Sequence, residues 1–335
     1  MGLLGKFLAL TVSDTKASTE ISKSFAIADC ASCANCSSSD LPASERYPTS
    51  LSIDNETPLW GSIKPWSLQI LCATGKTDWI HNIFDEKSSV AHALDDSQNH
   101  WSSGLTDPAT GKKPSARIVI SNSSLPPPDE YFEYDDDTND PKDKPTRVLI
   151  LPEFVYIENI TPNSASADIK PVIDALGKAR ASLIETKLPP SSRPIAFPPL
   201  PKDTLDAITL PSGHKVHPAT DLACIVLCSH RTRDKRCAVT SNILKKKFES
   251  ELKDHDLYRD AADDRPGGVP IHFVSHVGGH KFAANVIIYT KSGQAIWLAR
   301  VRPEHVTNII NYCILKGEVF PDMLRSAFNT NPIAW

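Results

Sequence analysis

Two cysteines and two histidines in the second half of the chain restrict the folds that it can adopt. Cys228 and Cys237 flank a strongly basic segment, and His276 and His280 follow further along the chain. Thiolates and imidazoles are the ligands that zinc ions and iron–sulfur clusters select. If the four side chains form one site, the fold must bring two separate segments of the chain together.

A third histidine, His272, precedes His276 by four residues, so two histidine pairs compete for the site. The first pair would lie about 13 Å apart on an extended segment, too far to share one metal ion. Gly278 and Gly279 separate His276 from His280, and glycines reach the positive dihedral angles that reverse a chain. A helix there would lose about 2 kcal/mol to the two glycines. We therefore predict His276 and His280 as ligands and expect His272 to pack or hydrogen-bond behind them.

The two cysteines flank a loop that joins a predicted strand to a predicted helix. Cys228 follows the apolar run 221–227, and Cys237 is expected just before a helix over 241–252. Eight residues separate the cysteines, more than the two to four that are typical of zinc fingers. The spacing disfavours a small structural zinc module without excluding zinc.

Composition limits the class of protein. With 335 residues, the chain is long enough for about two domains, and 40% hydrophobic and 23% charged residues describe a soluble globular protein. A net charge of -4 argues against a general nucleic-acid binder, and no run of 18 apolar residues predicts a membrane span. The apolar start, from Leu3 to Val12, is interrupted by Lys6 and makes a poor secretory signal. We expect a cytoplasmic or nuclear protein.

Residues 1–58 are predicted to form a partly ordered N-terminal tail, because they show little sustained periodicity. The tail contains Cys30, Cys33 and Cys36 at C-x-x-C-x-x-C spacing, which is typical of part of a metal site. No fourth cysteine lies nearby, so a loop of exposed thiols, docking against the domain and a transient metal contact all remain open.

Residues 59–190 are predicted to form a first domain, and residues 191–212, which are rich in proline, a linker to a second domain over 213–335. For the first domain we predict strands at 67–72, 116–120 and 147–156, helices at 78–84 and 169–188, and a solvated acidic loop near 135–140. For the second we predict strands at 221–227 and 270–275, a hairpin over 284–299, and helices at 241–252 and 306–315. This order predicts an α/β fold with two thioredoxin-like domains, each a mixed central sheet flanked by helices. The first domain would be a degenerate copy, and the C-terminal one would hold the metal site.

The segments around Cys228 and Cys237, and the stretch 275–289, resemble the sucrase/ferredoxin-like family of thioredoxin-like ferredoxins. The resemblance extends over most of the chain from about Trp60 onward. In that family two cysteines and the histidines of an H-x-x-x-H pair hold a 2Fe-2S cluster. The resemblance thus implies a 2Fe-2S cluster bound by Cys228, Cys237, His276 and His280, in an electron carrier of cytosolic redox metabolism rather than a hydrolase. A zinc-stabilised interaction module and a thiol oxidoreductase are the alternatives.

Histidine ligation has consequences for the redox chemistry of such a site. Replacing two thiolates by neutral imidazoles removes negative charge, so the reduction potential rises. Each ligand imidazole has a second nitrogen that can bind or release a proton. We therefore expect electron transfer to be coupled to proton transfer, with a potential that becomes more negative as the pH rises.

Two further features indicate partners. The loop between the cysteines carries Arg231, Arg233, Lys235 and Arg236 against a single acidic residue, and either contributes only solvation or steers an acidic redox partner toward the site. The last three residues of the chain are Ile333, Ala334 and Trp335. This tripeptide resembles the terminus with which cytosolic iron–sulfur proteins engage their assembly machinery, although Ala334 stands where an acidic residue or serine is usual.

Overall fold

The computed structural model of the protein describes residues 17–28, 42–64, 66–98, 117–184, 202–260, 263, 265–329 and 331–332. The predictions for Cys30, Cys33, Cys36, residues 191–201 of the linker and Trp335 lie outside the described residues. No helix within the described part of the chain is long and apolar enough to cross a lipid bilayer.

One mixed sheet runs through the described residues. Its strands are β1 (Trp66–Ala73), β2 (Arg117–Ser123), β3 (Thr146–Leu151), β4 (Val155–Ile160), β5 (Val216–Pro218), β6 (Ala223–Cys228), β7 (Ile271–Val274), β8 (Val286–Thr290), β9 (Gln294–Leu298), β10 (Leu324–Asn329) and β11 (Asn331–Pro332). Their order across the sheet is β11-β10-β9-β8-β6-β7-β2-β1-β3-β4-β5. The predicted α/β class with a mixed central sheet is confirmed.

The helices differ widely in length. From β1 onward, the described helices are α1 (Val90–Gln98), α2 (Asp129–Glu133), α3 (Ala165–Ile184), α4 (Lys202–Asp206), α5 (Lys235–Asp254) and α6 (Val306–Asn308), which continues as a π-helical segment (Ile309–Ile314). Apolar side chains of α1, α3 and α5 pack with one face of the sheet in the larger hydrophobic core. Helices α1, α3 and α5 therefore form a layer that covers one face of the sheet.

The two halves of the sheet repeat the same pairing. Strand β1 runs parallel to β2 and antiparallel to β3, which pairs antiparallel with β4. Strand β6 has the same relation to β7 and β8, and β8 pairs antiparallel with β9. The equivalent strands β2 and β7 pair with each other through Ser123 and Val274, which joins the halves into one sheet.

The second face of the sheet forms a core that both halves share. Trp66 of β1 packs edge-on against Trp297 of β9 and Phe328 of β10, with ring centroids 5.1 Å and 5.0 Å apart. Tyr289 of β8 accepts a hydrogen bond from the Trp66 indole and donates one to Gln69. Because these strands are distant in the sheet order, the sheet must curl until its two halves face each other.

Several predicted elements differ from the structure. The predicted helix 78–84 is wrong, and only a 3₁₀ turn over Ile83–Asp85 forms there. The carbonyl groups of Thr77 and Trp79 instead accept hydrogen bonds from the loop that follows β6, so tertiary contacts replace the helical ones. The predicted strand 147–156 is two antiparallel strands, β3 and β4. Strands β5, β10 and β11 were not predicted, and residues 202–212 of the predicted linker include α4.

Candidate metal centre

Cys228 ends strand β6, whose six residues are all buried. Because β6 and β7 are parallel, their carboxyl ends lie at the same edge of the sheet, and Cys228 pairs in register with Val274. His276 follows β7 by two residues. The two predicted ligand segments therefore meet at one edge, as the loop connections of a parallel strand pair require.

Cys237 lies in the first turn of α5, rather than before the helix as predicted. Asp234 caps this helix by accepting a hydrogen bond from the Arg236 backbone, which fixes the turn that carries Cys237. The Cys237 thiol donates a hydrogen bond to the sulfur of Cys228, so the pKa of Cys228 falls well below its ordinary value and that of Cys237 rises. Both side chains are buried, at 3% and 1% exposure. The pair therefore favours a Cys228 thiolate beside a protonated Cys237 thiol.

The histidines occupy a loop that turns on Gly278 and Gly279, both with positive φ. The imidazole rings of His276 and His280 lie 5.2 Å apart between centroids. The Nδ1 atoms of both rings are buried and have no hydrogen-bond partner within the described residues. Partial burial lowers the pKa of His280, and the neighbouring His276 lowers it further. Two imidazoles that each bury an unsatisfied nitrogen suit a metal better than they suit a packed interior.

The two donor pairs touch each other. Interactions with the His276 side chain and with the Val277 backbone N–H further lower the pKa of Cys228, so the histidine loop lies against the cysteine pair. Within the described residues, however, no group of three or more His, Cys, Asp or Glu side chains is arranged to hold one metal ion. The structure therefore gives two adjacent pairs of donors rather than a single four-ligand cage.

His272 is buried on β7, and burial lowers its pKa to about 4. Its Nε2 atom has no hydrogen-bond partner within the described part of the chain. The buried position is consistent with the expectation that His272 packs in the interior. Within that part of the chain, its Nε2 atom does not make the supporting hydrogen bond that was the alternative.

A buried arginine, which the sequence did not reveal, supports the histidine loop. Arg325 of β10 is 2% exposed, and its guanidinium donates to the Gly278 carbonyl at 3.0 Å and to the Asn285 side chain at 2.8 Å. It also donates to the side chain and carbonyl of Ser62. Burial lowers the pKa of Arg325 to about 10, whereas the charge of Cys228 raises it. The guanidinium thus sits close enough to the cysteine pair to interact with it electrostatically.

His230, also missed, fastens the histidine loop to the first half of the protein. Its Nδ1 atom accepts a hydrogen bond from the His276 backbone, so in the neutral ring Nε2 carries the proton and donates to the Trp79 carbonyl at 3.0 Å. The sequence could have indicated this role. His230 follows Cys228 by two residues, so its side chain must lie near the same edge of the sheet as the cysteine.

The two turn glycines allow a matched test of this packing. A methyl group on Gly279 would lie 2.4 Å from the buried Arg325 guanidinium, whereas one on Gly278 meets nothing within 4 Å. Both residues have positive φ, so Gly278→Ala incurs only the backbone strain, of about 1 kcal/mol. Gly279→Ala must also displace Arg325. We expect it to lower the free energy of unfolding by roughly 2 kcal/mol more than its neighbour, as measured in urea. Equal losses would show that the contact contributes nothing.

The loop between the cysteines is basic and exposed. Arg231, Arg233 and Lys235 are exposed, whereas Arg236 forms an ion pair with Asp234 at 2.8 Å. Arg233 lies 3.0 Å from the His81 ring, and Thr232 bonds to Asp78. Three of the four predicted basic side chains therefore form an exposed positive rim beside the cysteine pair.

Comparison with known proteins assigns the chain to a family. The family model described as sucrase/ferredoxin-like matches residues 59–326. The chain is 33% identical to actin patches distal protein 1 of Saccharomyces cerevisiae over 316 residues, which is 92% of this chain and 89% of that protein. Two proteins named altered inheritance of mitochondria protein 32 match shorter stretches. The one from Meyerozyma guilliermondii is 26% identical over 45% of this chain and 52% of its own length. The one from Debaryomyces hansenii is 35% identical over 30% and 34%.

No solved structure matches the chain with statistical significance. The family model nevertheless extends from β1 through the first half of β10 and includes all four predicted ligands. The chain belongs to the sucrase/ferredoxin-like family.

Proposed function

We propose that the protein is a cytosolic electron carrier whose redox centre is a 2Fe-2S cluster held by Cys228, Cys237, His276 and His280. The observation that carries this proposal is the division of the donors into a touching cysteine pair and a touching histidine pair. A two-iron cluster takes two protein ligands on each iron, and two histidines can replace two cysteines on one of them. Such a cluster would supply a one-electron redox couple.

The residues present fit that group. The buried Nδ1 atoms of both histidines lack hydrogen-bond partners within the described residues. The pKa of Cys228 is held low and burial lowers that of His280, so one thiolate and one neutral imidazole are already favoured. The Arg325 guanidinium, whose described hydrogen bonds all go to uncharged acceptors, supplies a buried positive charge beside them. A buried cation without a carboxylate is costly, so a nearby thiolate or a centre that gains negative charge would stabilise it.

The fold also supports an electron-transfer role. The two halves repeat one arrangement, in which the central strand is parallel to one neighbour and antiparallel to the other. We interpret each half as thioredoxin-like, with the redox centre at the carboxyl edge of the second. The equivalent edge of the first half has Cys72 near the end of β1, and the sequence between β2 and β3 contains no histidine.

The alternatives are less well supported. A thiol oxidoreductase needs an accessible thiolate, whereas Cys228 and Cys237 are both buried. A zinc module needs four donors around a single ion, an arrangement that the described residues do not form. Zinc would also give a colourless protein.

The decisive experiment is spectroscopic. Protein purified without oxygen should be red-brown, contain about two irons and two sulfides per chain, and give a reduced-state electron paramagnetic resonance signal. A colourless protein that contains zinc would overturn the proposal.

Proton coupling is the finer part of the proposal. Reduction makes a ligand imidazole more basic, so the reduced state binds a proton more tightly, and raising the pH favours the oxidised state. The potential should therefore fall by up to about 59 mV per pH unit in the range where one imidazole titrates. Burial and the neighbouring His276 lower the pKa of His280, Asp234 raises it, and Arg236 and Arg233 lower it further. A potential that is constant between about pH 6 and pH 9 would exclude the coupling.

We expect the exposed rim of Arg231, Arg233 and Lys235 to attract an acidic redox partner. Charge reversal at Arg231 and Arg233 should slow reduction by such a partner about tenfold at low ionic strength and much less at high salt. The visible spectrum should not change, because neither side chain is a donor to the centre. Stopped-flow reduction by an acidic ferredoxin reductase measures this, with Lys246→Glu on the exposed part of α5 as the charge control. Rates that are unaffected would assign the rim to solvation.

Trp335 remains a proposed contact with the cytosolic iron–sulfur assembly machinery, in keeping with a cytoplasmic or nuclear location. Full iron occupancy in cells after deletion of Trp335 would contradict it. Neither membrane binding nor nucleic-acid binding is part of the proposal.

A further inference from the structure

The first half of the protein contains a cavity of about 340 Å³ at the carboxyl edge of β1 and β2. Its volume lies within the range of small-molecule sites. The floor is formed by Cys72 and Asn122, and the walls include Lys76, Lys144 and the residues that start α1. None of these residues takes part in the proposed redox centre.

The floor of the cavity contains an unsatisfied donor. Asn122 is 1% exposed, and its Nδ2 atom has no hydrogen-bond partner within the described residues. Asn122 pairs in register with Cys72 and lies on the same face of β2 as Ile120, which belongs to the helix-covered core together with Val90 of α1. Asn122 lines the cavity together with Ser89 and Val90. The Asn122 amide therefore points toward the start of α1, where the cavity lies. A buried NH₂ group without an acceptor costs about 1–3 kcal/mol, which a ligand oxygen would recover.

The start of α1 presents further donors. Ser89 caps the helix, because its side chain accepts from the His92 backbone at 3.1 Å and its carbonyl accepts from Ala93 at 3.1 Å. The N–H groups of Val90 and Ala91 have no acceptor among the described hydrogen bonds, as is usual in the first turn of a helix. The same end of a nine-residue helix carries a partial positive charge. Both features favour an anionic acceptor.

The charges that line the cavity select the class of anion. Lys144 is neutralised by an ion pair with Asp136 at 2.7 Å and lies over the Tyr131 ring. Lys76 and Glu86 supply one further charge of each sign, so the net charge of the lining side chains is zero. The helix terminus adds only a partial positive charge. A dianionic phosphate would be under-compensated here. Burial raises the pKa of the Cys72 thiol to about 12, so the floor is uncharged and tolerates a hydrocarbon group.

We infer that this cavity is a binding site for a small monocarboxylate, whose oxygens accept hydrogen bonds from the Asn122 amide and the first turn of α1. Lys76 would approach the same carboxylate from the solvent side, because its side chain is exposed and forms no ion pair within the described residues. Val90, Pro162 and Cys72 would contact the hydrocarbon part of the ligand.

The site also adjoins the redox centre. Residues Thr77, Asp78 and Trp79, which follow Lys76, accept hydrogen bonds from Ser229, Thr232 and His230 of the loop after β6. A ligand at Lys76 would therefore contact the segment that supports the cysteine loop. No residue that lines the cavity is a ligand of the proposed centre, so carboxylate binding can be measured whether or not the protein holds a cluster, and the test does not depend on the proposed function.

Ligand-observed nuclear magnetic resonance with the full-length protein tests the inference. Butyrate and benzoate should bind saturably at one site per chain. Butyramide, which has the shape of butyrate without its charge, and inorganic phosphate should both bind at least tenfold more weakly. Equal binding of butyramide, tighter binding of phosphate, or no binding of either carboxylate would overturn the inference.

Two substitutions locate the site. Asn122→Asp replaces the donor by a like charge and should weaken butyrate binding at least tenfold. Lys76→Met removes an exposed charge and should weaken it about fivefold, whereas Lys87→Met, an exposed lysine of the same segment that does not line the cavity, should have no effect. If Asn122→Asp does not fold, the comparison of the two lysine variants decides. Unchanged binding by Lys76→Met, or an equal loss in Lys87→Met, would contradict the assignment.

Discussion

Cys237→Ser is expected to reduce the iron and sulfide content of the purified protein by tenfold or more. The reason is that a serine hydroxyl is a poor replacement for a thiolate on an iron–sulfur cluster, and the position is buried, so no solvent ligand can take its place. The same change removes the hydrogen bond that keeps the pKa of Cys228 low, so the remaining cysteine also becomes a weaker ligand. Iron and sulfide analysis together with visible absorbance measures the loss.

Cys224→Ala is the matched control for that experiment. Cys224 is fully buried on the same strand as Cys228, and burial raises the pKa of its thiol, so it is a packed thiol rather than a ligand. This variant loses packing but should retain the cluster. Loss of colour in Cys224→Ala, or full iron content in Cys237→Ser, would place the metal elsewhere.

Arg325→Met should make the reduction potential more negative by roughly 50–100 mV. The guanidinium is buried beside Cys228, where it stabilises an added electron, and an interaction of about 1–2 kcal/mol corresponds to a shift of this size for a one-electron couple. The substitution also leaves the Gly278 carbonyl without a donor, at a cost of roughly 1–3 kcal/mol. The Asn285 side-chain oxygen loses one of its two donors and keeps the Trp297 indole. Both effects should appear, one in the potential and the other in urea unfolding.

Arg325→Lys separates the two effects. Lysine keeps the positive charge but cannot donate simultaneously to Ser62, Gly278 and Asn285 with the geometry of a guanidinium. The potential should therefore remain near that of the natural protein while the stability falls. If Arg325→Met leaves the potential unchanged in a protein with full iron content, the buried charge has no influence on the centre.

The features of the site that follow from local pattern were predictable. The apolar run before Cys228 predicts a buried strand that ends at the thiol, and the glycines between His276 and His280 predict a reversal of the chain. Both depend on a few adjacent residues. The hairpin of β8 and β9 was predictable for the same reason, since turn residues separate two apolar runs.

The supporting residues could not be predicted, because their contacts join distant parts of the chain. Arg325 reaches Gly278 and Ser62, and nothing in the residues around it indicates burial rather than solvent exposure. The wrong helix at 78–84 has a related cause. Its sequence is compatible with a helix, but the carbonyls of Thr77 and Trp79 are engaged by the loop after β6, a contact that periodicity cannot show.

The curled sheet has a consequence for how the protein loses its structure. Trp66 comes from the first half of the sheet, whereas Trp297 and Phe328 come from the second, so neither half can unfold without exposing the aromatic face of the other to water. The two halves, although they repeat one strand arrangement, should therefore form a single cooperative unit rather than two independently melting domains. Tryptophan fluorescence and visible absorbance should report the same midpoint on heating. The redox centre would then be lost at the temperature at which the whole chain unfolds. A substitution that destabilises the first half would therefore shorten the lifetime of the centre as much as one beside the ligands.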